Sequence, residues 1–270
     1  MPLTPWSLDP SLVYVGLAGT LYVLGSRGRG RPTPLQGLAF FASLAVIVIA
    51  TCSPIDHYAD ELFWVHMVQH ILLLTIAPPL FLLGRPWPRM WRAVPLKPRT
   101  KVGRTLALSR WMAPVRGLSK PLPAWILFNA TIVGWHIPGA YDAALSNGAV
   151  HAIQHAMFFF TGLLFWARVI DPGPLRPRLV WPLRIAYTAA TMVVGWMLAI
   201  TLVIVPHAIY SYALLRYRPE GLTAWSDQEI AAGVMWVPGS VAYALTFIMG
   251  FYRWLEPDRA SAPISTALTS

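Results

Sequence analysis

Residues 60–84 read DELFWVHMVQHILLLTIAPPLFLLG. The apolar run within this stretch, 61–83, matches the roughly 20 residues an α-helix needs to cross a bilayer. His66 and His70 nevertheless sit four apart near its start, and imidazole gains little from hydrocarbon, so their place there needs a reason.

Outward from this stretch the rest of the chain reads the same way. Of its 270 residues, 56% are hydrophobic and 12% charged. Soluble domains carry about twice that charged fraction. Seven apolar runs are long enough to be read as spans: about 8–25, 35–53, 61–83, 122–137, 151–168, 183–205 and 232–252. The first and fourth are the shortest. Trp6, Tyr58, Trp64, Trp87, Trp166, Trp181 and Trp254 fall at run ends, as interfacial anchors do. The expected fold is therefore an all-α membrane protein, a single seven-transmembrane-helix bundle over 1–255, with a disordered polar tail over 256–270.

Basic residues orient the bundle. With alternating connections, nineteen of the 21 Lys and Arg fall on one side, ten of them in the 84–121 loop, and only Arg216 and Arg218 lie opposite. This predicts the N-terminus outside and the C-terminus in the cytoplasm. The 84–121 loop mixes Trp, Leu and Val with its cations, a composition suited to lying on anionic lipid at the cytoplasmic face. The net charge of +10 thus points to a membrane surface and not to nucleic acid. No basic residue precedes the first apolar run, so the start does not read as a cleaved signal peptide. There is no internal sequence repeat and no second domain.

All seven histidines (57, 66, 70, 136, 151, 155 and 207) fall in the outer half or the outer loops. His66/His70 and His151/His155 are i, i+4 pairs, each on one helix face about one turn apart. That spacing lets two imidazoles converge on one metal ion. A single buried histidine is more simply a hydrogen bond between helices. Two pairs on the same side of one bundle favour a metal site, with His136 near it. Carboxylates are scarce in the spans, which argues against magnesium and calcium. Met67, Met157, Met235 and Cys52 lie on the same side and tilt the choice toward copper, although each fits ordinary core packing too. Gln69 is a candidate helper, and Asp56, Asp142 and Asp227 are candidates to orient imidazoles from behind. His57 and His207 stay as outlying candidates. No Ser-His-Asp, P-loop or dinucleotide pattern occurs in a usable context. Lys97, Lys101 and Lys120, the three lysines, all lie in the inner loop, which excludes a retinal Schiff base in the last span.

The segments HMVQHILLLTIAPPLFLLGRP, WHIPGAYDAALSNGAVHAIQHAMFFFTGLLFW and SDQEIAAGVMWVPG together resemble the integral-membrane CtaG family of cytochrome c oxidase (caa3-type) assembly factors. The resemblance runs from about residue 12 to 252. The matching positions are His66, Gln69, His70, Trp135, His136, Pro138, Tyr141, Asp142, His151, His155, Asp227, Gln228, Met235 and Trp236. Ala231 and Ala232 stand where the family pattern suggests a Gly-Gly step. The resemblance implies a multi-pass protein of the bacterial plasma membrane, not an enzyme, that helps build the copper B centre of a haem–copper oxidase. Its implied partners are oxidase subunit I and extracytoplasmic copper chaperones. The same residues also fit a scaffold without metal, a haem-binding membrane cytochrome b, and a metal transporter. The inner halves of the spans lack His, Asp and Glu, which disfavours the transporter.

Overall fold

The computed structural model describes residues 6–28, 31–170, 179–214 and 221–255, and these contain helices and no strands. In chain order the helices are α1 (Ser11–Gly25), α2 (Pro34–Cys52), α3 (Pro54–Ala59), α4 (Phe63–Ile71), α5 (Ala77–Leu83), α6 (Pro86–Ala93) and α7 (Leu96–Leu108). They are followed by α8 (Ala113–Leu118), α9 (Pro121–Trp135), α10 (Pro138–Ser146), α11 (Gly148–Val169), α12 (Trp181–Ile204), α13 (Ala224–Trp236) and α14 (Val241–Leu255). The disordered-tail expectation for 256–270 lies outside the described residues, as do Arg216 and Arg218.

Local chemistry sets the helix starts. Thr33 and Gln36 form a reciprocal capping box ahead of Pro34, and the Asn147 side chain accepts from the Ala149 and Val150 amides to open α11. These caps satisfy amide groups that have no partner within the first turn.

The decisive run is one rod with a break. α4 passes through a π turn at Leu72–Ile76 into α5. The cause is the pair Pro78 and Pro79: a proline within a helix has no N–H for the carbonyl four residues earlier. The carbonyl that Pro78 leaves open, Leu74, instead accepts the indole N–H of Trp166 on α11 at 3.0 Å. Ser43 of α2 donates to the Ala77 carbonyl at 2.7 Å. A built-on Cβ at Gly162 would lie 2.8 Å from Pro78 Cγ and 3.2 Å from the Leu74 oxygen. The absent side chain lets α11 lie directly on the break. This registers the histidines of α11 against those of α4.

All seven expected runs fall on helices, but five helical stretches are long and apolar enough to cross a membrane: Pro34–Cys52, Phe63–Leu83, Gly148–Val169, Trp181–Ile204 and Ala224–Arg253. α1 and α9 have 15 residues each. At about 1.5 Å per residue they reach roughly 22 Å, short of a hydrocarbon core of about 30 Å. Helix length alone therefore does not carry the count of seven. The chain is nonetheless a membrane protein by the length and apolarity of those five stretches.

The 84–121 segment is helical (α6, α7, α8) rather than a plain loop, and α6 packs on α1. A Cβ at Gly25 would overlap the Arg89 carbonyl, so α1 ends where α6 crosses it. Arg89 is buried there, donating to the carbonyls of Gly84 and Arg85 and to Gln36 Oε1. One of the ten cations of this segment is thus a structural tie.

Candidate metal centre

His66 and His70 on α4 and His151 and His155 on α11 meet at one end of the bundle. The ring centroids of His66 and His151 lie 5.0 Å apart, and those of His70 and His155 lie 6.5 Å apart. Within each pair the separations are 4.3 Å (His66/His70) and 4.1 Å (His151/His155). His66, His151 and His155 each offer a ring nitrogen, and these three nitrogens lie within 4.8 Å of one another. His66, His70 and His155 are buried, while His151 is partly exposed with its Nε2 buried.

One side of His66 is fixed. Its Nδ1 lies 2.8 Å from the Tyr212 hydroxyl, and that hydroxyl donates its single proton to the Ala59 carbonyl. The hydroxyl must then accept from His66, so Nδ1 carries the hydrogen and Nε2 presents a lone pair. A hydrogen bond that sets the tautomer in this way is characteristic of metal-ligating histidines. His66 Nε2, His151 Nε2 and both ring nitrogens of His70 and of His155 are buried without a hydrogen-bond partner among the described residues. An unmet buried polar atom costs about 1–3 kcal/mol. Several such nitrogens facing one another, with no carboxylate in the group, are what an imidazole-ligated ion would satisfy. The donor set therefore fits a first-row metal such as zinc, copper, iron or nickel.

The other anticipated residues take varied places. His136, closing α9, lies 5.9 Å from His70 by ring centroids and holds its Nε2 3.4 Å from the Met67 sulfur. Met235 lines the same small cavity as Met67, His70 and His136. Gln69 donates to the Ala50 carbonyl at 2.7 Å and to Asp56 at 2.8 Å, so both brace α4 against the end of α2. Asp142 and Asp227 do not reach an imidazole in any of the hydrogen bonds described. Asp142 accepts the Ser211 amide and holds the segment carrying Tyr210 and Tyr212. The two oxygens of Asp227 accept the amides of Phe63 and Trp64 at 2.9 Å each, capping α4 from another helix. Leu62, at the cap position of α4, supplies no side-chain cap of its own.

Four candidates stand apart from the group. Met157 points outward on α11 with 37% of its surface exposed. The half-turn between it and His155 turns it from the histidines toward a groove lined by Thr131 and Trp135 of α9. His57 is exposed and lies 3.7 Å from Glu61, and His207 is exposed, its backbone carbonyl accepting from Gln228. Cys52 is buried at the end of α2 beside Thr51 Oγ1.

Sequence reasoning missed Tyr212, Tyr210 and Gln154. Tyr212 lies in the connection between α12 and α13, far from any motif, and no local pattern signals it. Gln154 is fully buried beside His66, one residue before His155. A signal for it existed: His66–Gln69–His70 and His151–Gln154–His155 share the frame H-x-x-Q-H, which places a glutamine in each half of the centre.

The chain is 27% identical over 289 residues to uncharacterized proteins of Mycobacterium bovis and Mycobacterium tuberculosis, and 25% identical over 274 residues to one of Mycobacterium leprae. Each alignment covers 96% of this chain but 41% of the relative, so the chain spans about two fifths of the length of these curated relatives. No solved structure matches it. The family model for the cytochrome c oxidase caa3 assembly factor (Caa3_CtaG) matches residues 18–257, which contain every histidine of the centre, and the chain belongs to that family.

Proposed function

We propose that this chain binds copper at the centre formed by His66, His151 and His155, with His70 alongside, and delivers it to the copper B centre of oxidase subunit I. The observation that carries the reading is the convergence of three imidazole nitrogens, unpartnered and buried, on two helices registered by Gly162 and the Pro78 break. Copper is preferred over the other imidazole-binding metals because a methionine sulfur lies beside the histidines and because the family assembles a haem–copper oxidase.

Copper is cargo in this account, and no bond of a substrate is made or broken. Neutral imidazoles of fixed tautomer accept the ion, and the partly exposed His151 supplies the side from which it enters and leaves. The positive-inside distribution supports a reading in which this end faces out of the bacterial plasma membrane, with the N-terminus outside and the C-terminus in the cytoplasm. A soluble extracytoplasmic copper chaperone would reach the centre from there. The basic α7 would rest on anionic lipid at the opposite face. The adjoining cavity, about 60 Å³, suits an ion or a water or two better than a porphyrin, which favours copper over haem.

The test is made on the oxidase. Cells producing the His66→Ala/His155→Ala variant should make oxidase subunit I with haem but with copper B lost, by metal analysis of the purified enzyme. Full copper B occupancy at normal variant abundance would overturn the proposal.

A further inference from the structure

The contact between His136 and Met67 has no proton to explain it. His136 Nδ1 lies 2.7 Å from the Ile132 carbonyl, which can only accept, so Nδ1 carries the ring hydrogen. In that neutral tautomer Nε2 is a bare lone pair, and it faces the Met67 sulfur, also a lone pair, at 3.4 Å. Met67 is 1% exposed and His136 6%. Among the described residues, no carboxylate lines the cavity onto which they open, so nothing there holds an imidazolium. A thioether and an imidazole held together in an apolar pocket suit a soft cation between them.

The dimensions suit one as well. A cation about 2.0 Å from the nitrogen and about 2.3 Å from the sulfur would see the two atoms at about 105°, near the tetrahedral angle. His70 lines the same cavity with both ring nitrogens unpartnered, and Met235 adds a second sulfur to its wall. His70 also packs 4.3 Å from His66 by ring centroids and so stands between this pocket and the three-histidine centre.

We propose that Met67, His136 and His70 form a second station, specific for monovalent copper, adjoining the three-histidine centre. It rests on the copper reading for the identity of the ion, though not for its geometry. Thioether ligation selects copper(I) over copper(II) and zinc. An ion arriving on imidazoles can shift onto the sulfur-containing set by exchanging one ligand at a time through His70, with no change of oxidation state.

Load the purified full chain with copper(I) under reducing conditions, and measure copper per protein and the X-ray absorption fine structure. The wild type should show sulfur as well as nitrogen neighbours. Met67→Leu, which conserves volume, should lose the sulfur shell and about half the copper, keeping a nitrogen-ligated remainder. His66→Ala/His155→Ala should keep a sulfur-ligated fraction. A wild-type spectrum with nitrogen alone, or a sulfur shell unaltered in Met67→Leu, overturns the second station and leaves the three-histidine centre standing. Retention of the sulfur shell while the double alanine variant loses no copper sinks the three-histidine centre instead and leaves the second station standing.

Discussion

At the scale of single residues, the tautomer of His66 carries most of the site's chemistry. Tyr212 fixes it by giving its own proton to Ala59, which leaves the hydroxyl oxygen able only to accept. Tyr212→Phe removes that acceptor and frees the ring to adopt the other tautomer. Copper affinity, read by competition with a chromogenic chelator, should fall about 10- to 100-fold while the protein stays folded. Asp56 offers a different signature. Burial lifts its carboxyl from the ordinary 3.8 to about 6, against hydrogen bonds from Gln69 and Ser7 that pull it down. A carboxyl with a raised folded-state pKa favours the fold fully below the ordinary value, and this contribution is lost as pH rises through about 6. The thermal midpoint in detergent should therefore decline as pH rises from about 4 to 6. Asp56→Asn should flatten that part of the profile, because its amide oxygen still accepts from Gln69.

At the scale of elements, two devices place α4 and α11. Asp227 caps α4 through the Phe63 and Trp64 amides, three residues before His66. Asp227→Ala leaves both amides unmet and should lower stability by about 1–3 kcal/mol, seen in chemical or thermal denaturation. Gly162 lets α11 lie on the Pro78 break, where added carbons meet both Pro78 and the Leu74 oxygen. Gly162→Val should cost about 1–3 kcal/mol and weaken copper binding, because α11 must shift and take His151 and His155 with it. The pairing of the histidines was legible because i, i+4 spacing puts both rings of a pair on one helix face. The cap from Asp227 was not, since it joins residues 164 positions apart and uses backbone atoms rather than an imidazole. Asp142 reads as a candidate to orient an imidazole, but the bond it makes, to the Ser211 amide beside Tyr212, was not legible for the same reason.

At the scale of the whole molecule, hydropathy located all seven helical runs, yet it does not separate full crossings from the two 15-residue helices. Apolarity reports what is buried, in lipid or in protein, and not whether a helix is long enough to cross. The 84–121 segment was legible as basic, but its helices and the burial of Arg89 were not, since those depend on the close approach of α1 and α6 at Gly25. What unites the scales is a bundle whose one end collects imidazoles and whose other carries the cations. Copper bound per chain, measured on this chain purified without chelator, tests the central claim most directly. The account predicts about one or more copper ions per wild-type chain with imidazole nitrogen dominating the neighbours, and at least a twofold loss in His66→Ala/His155→Ala. Equal copper in the two proteins, or none in the wild type, would contradict it.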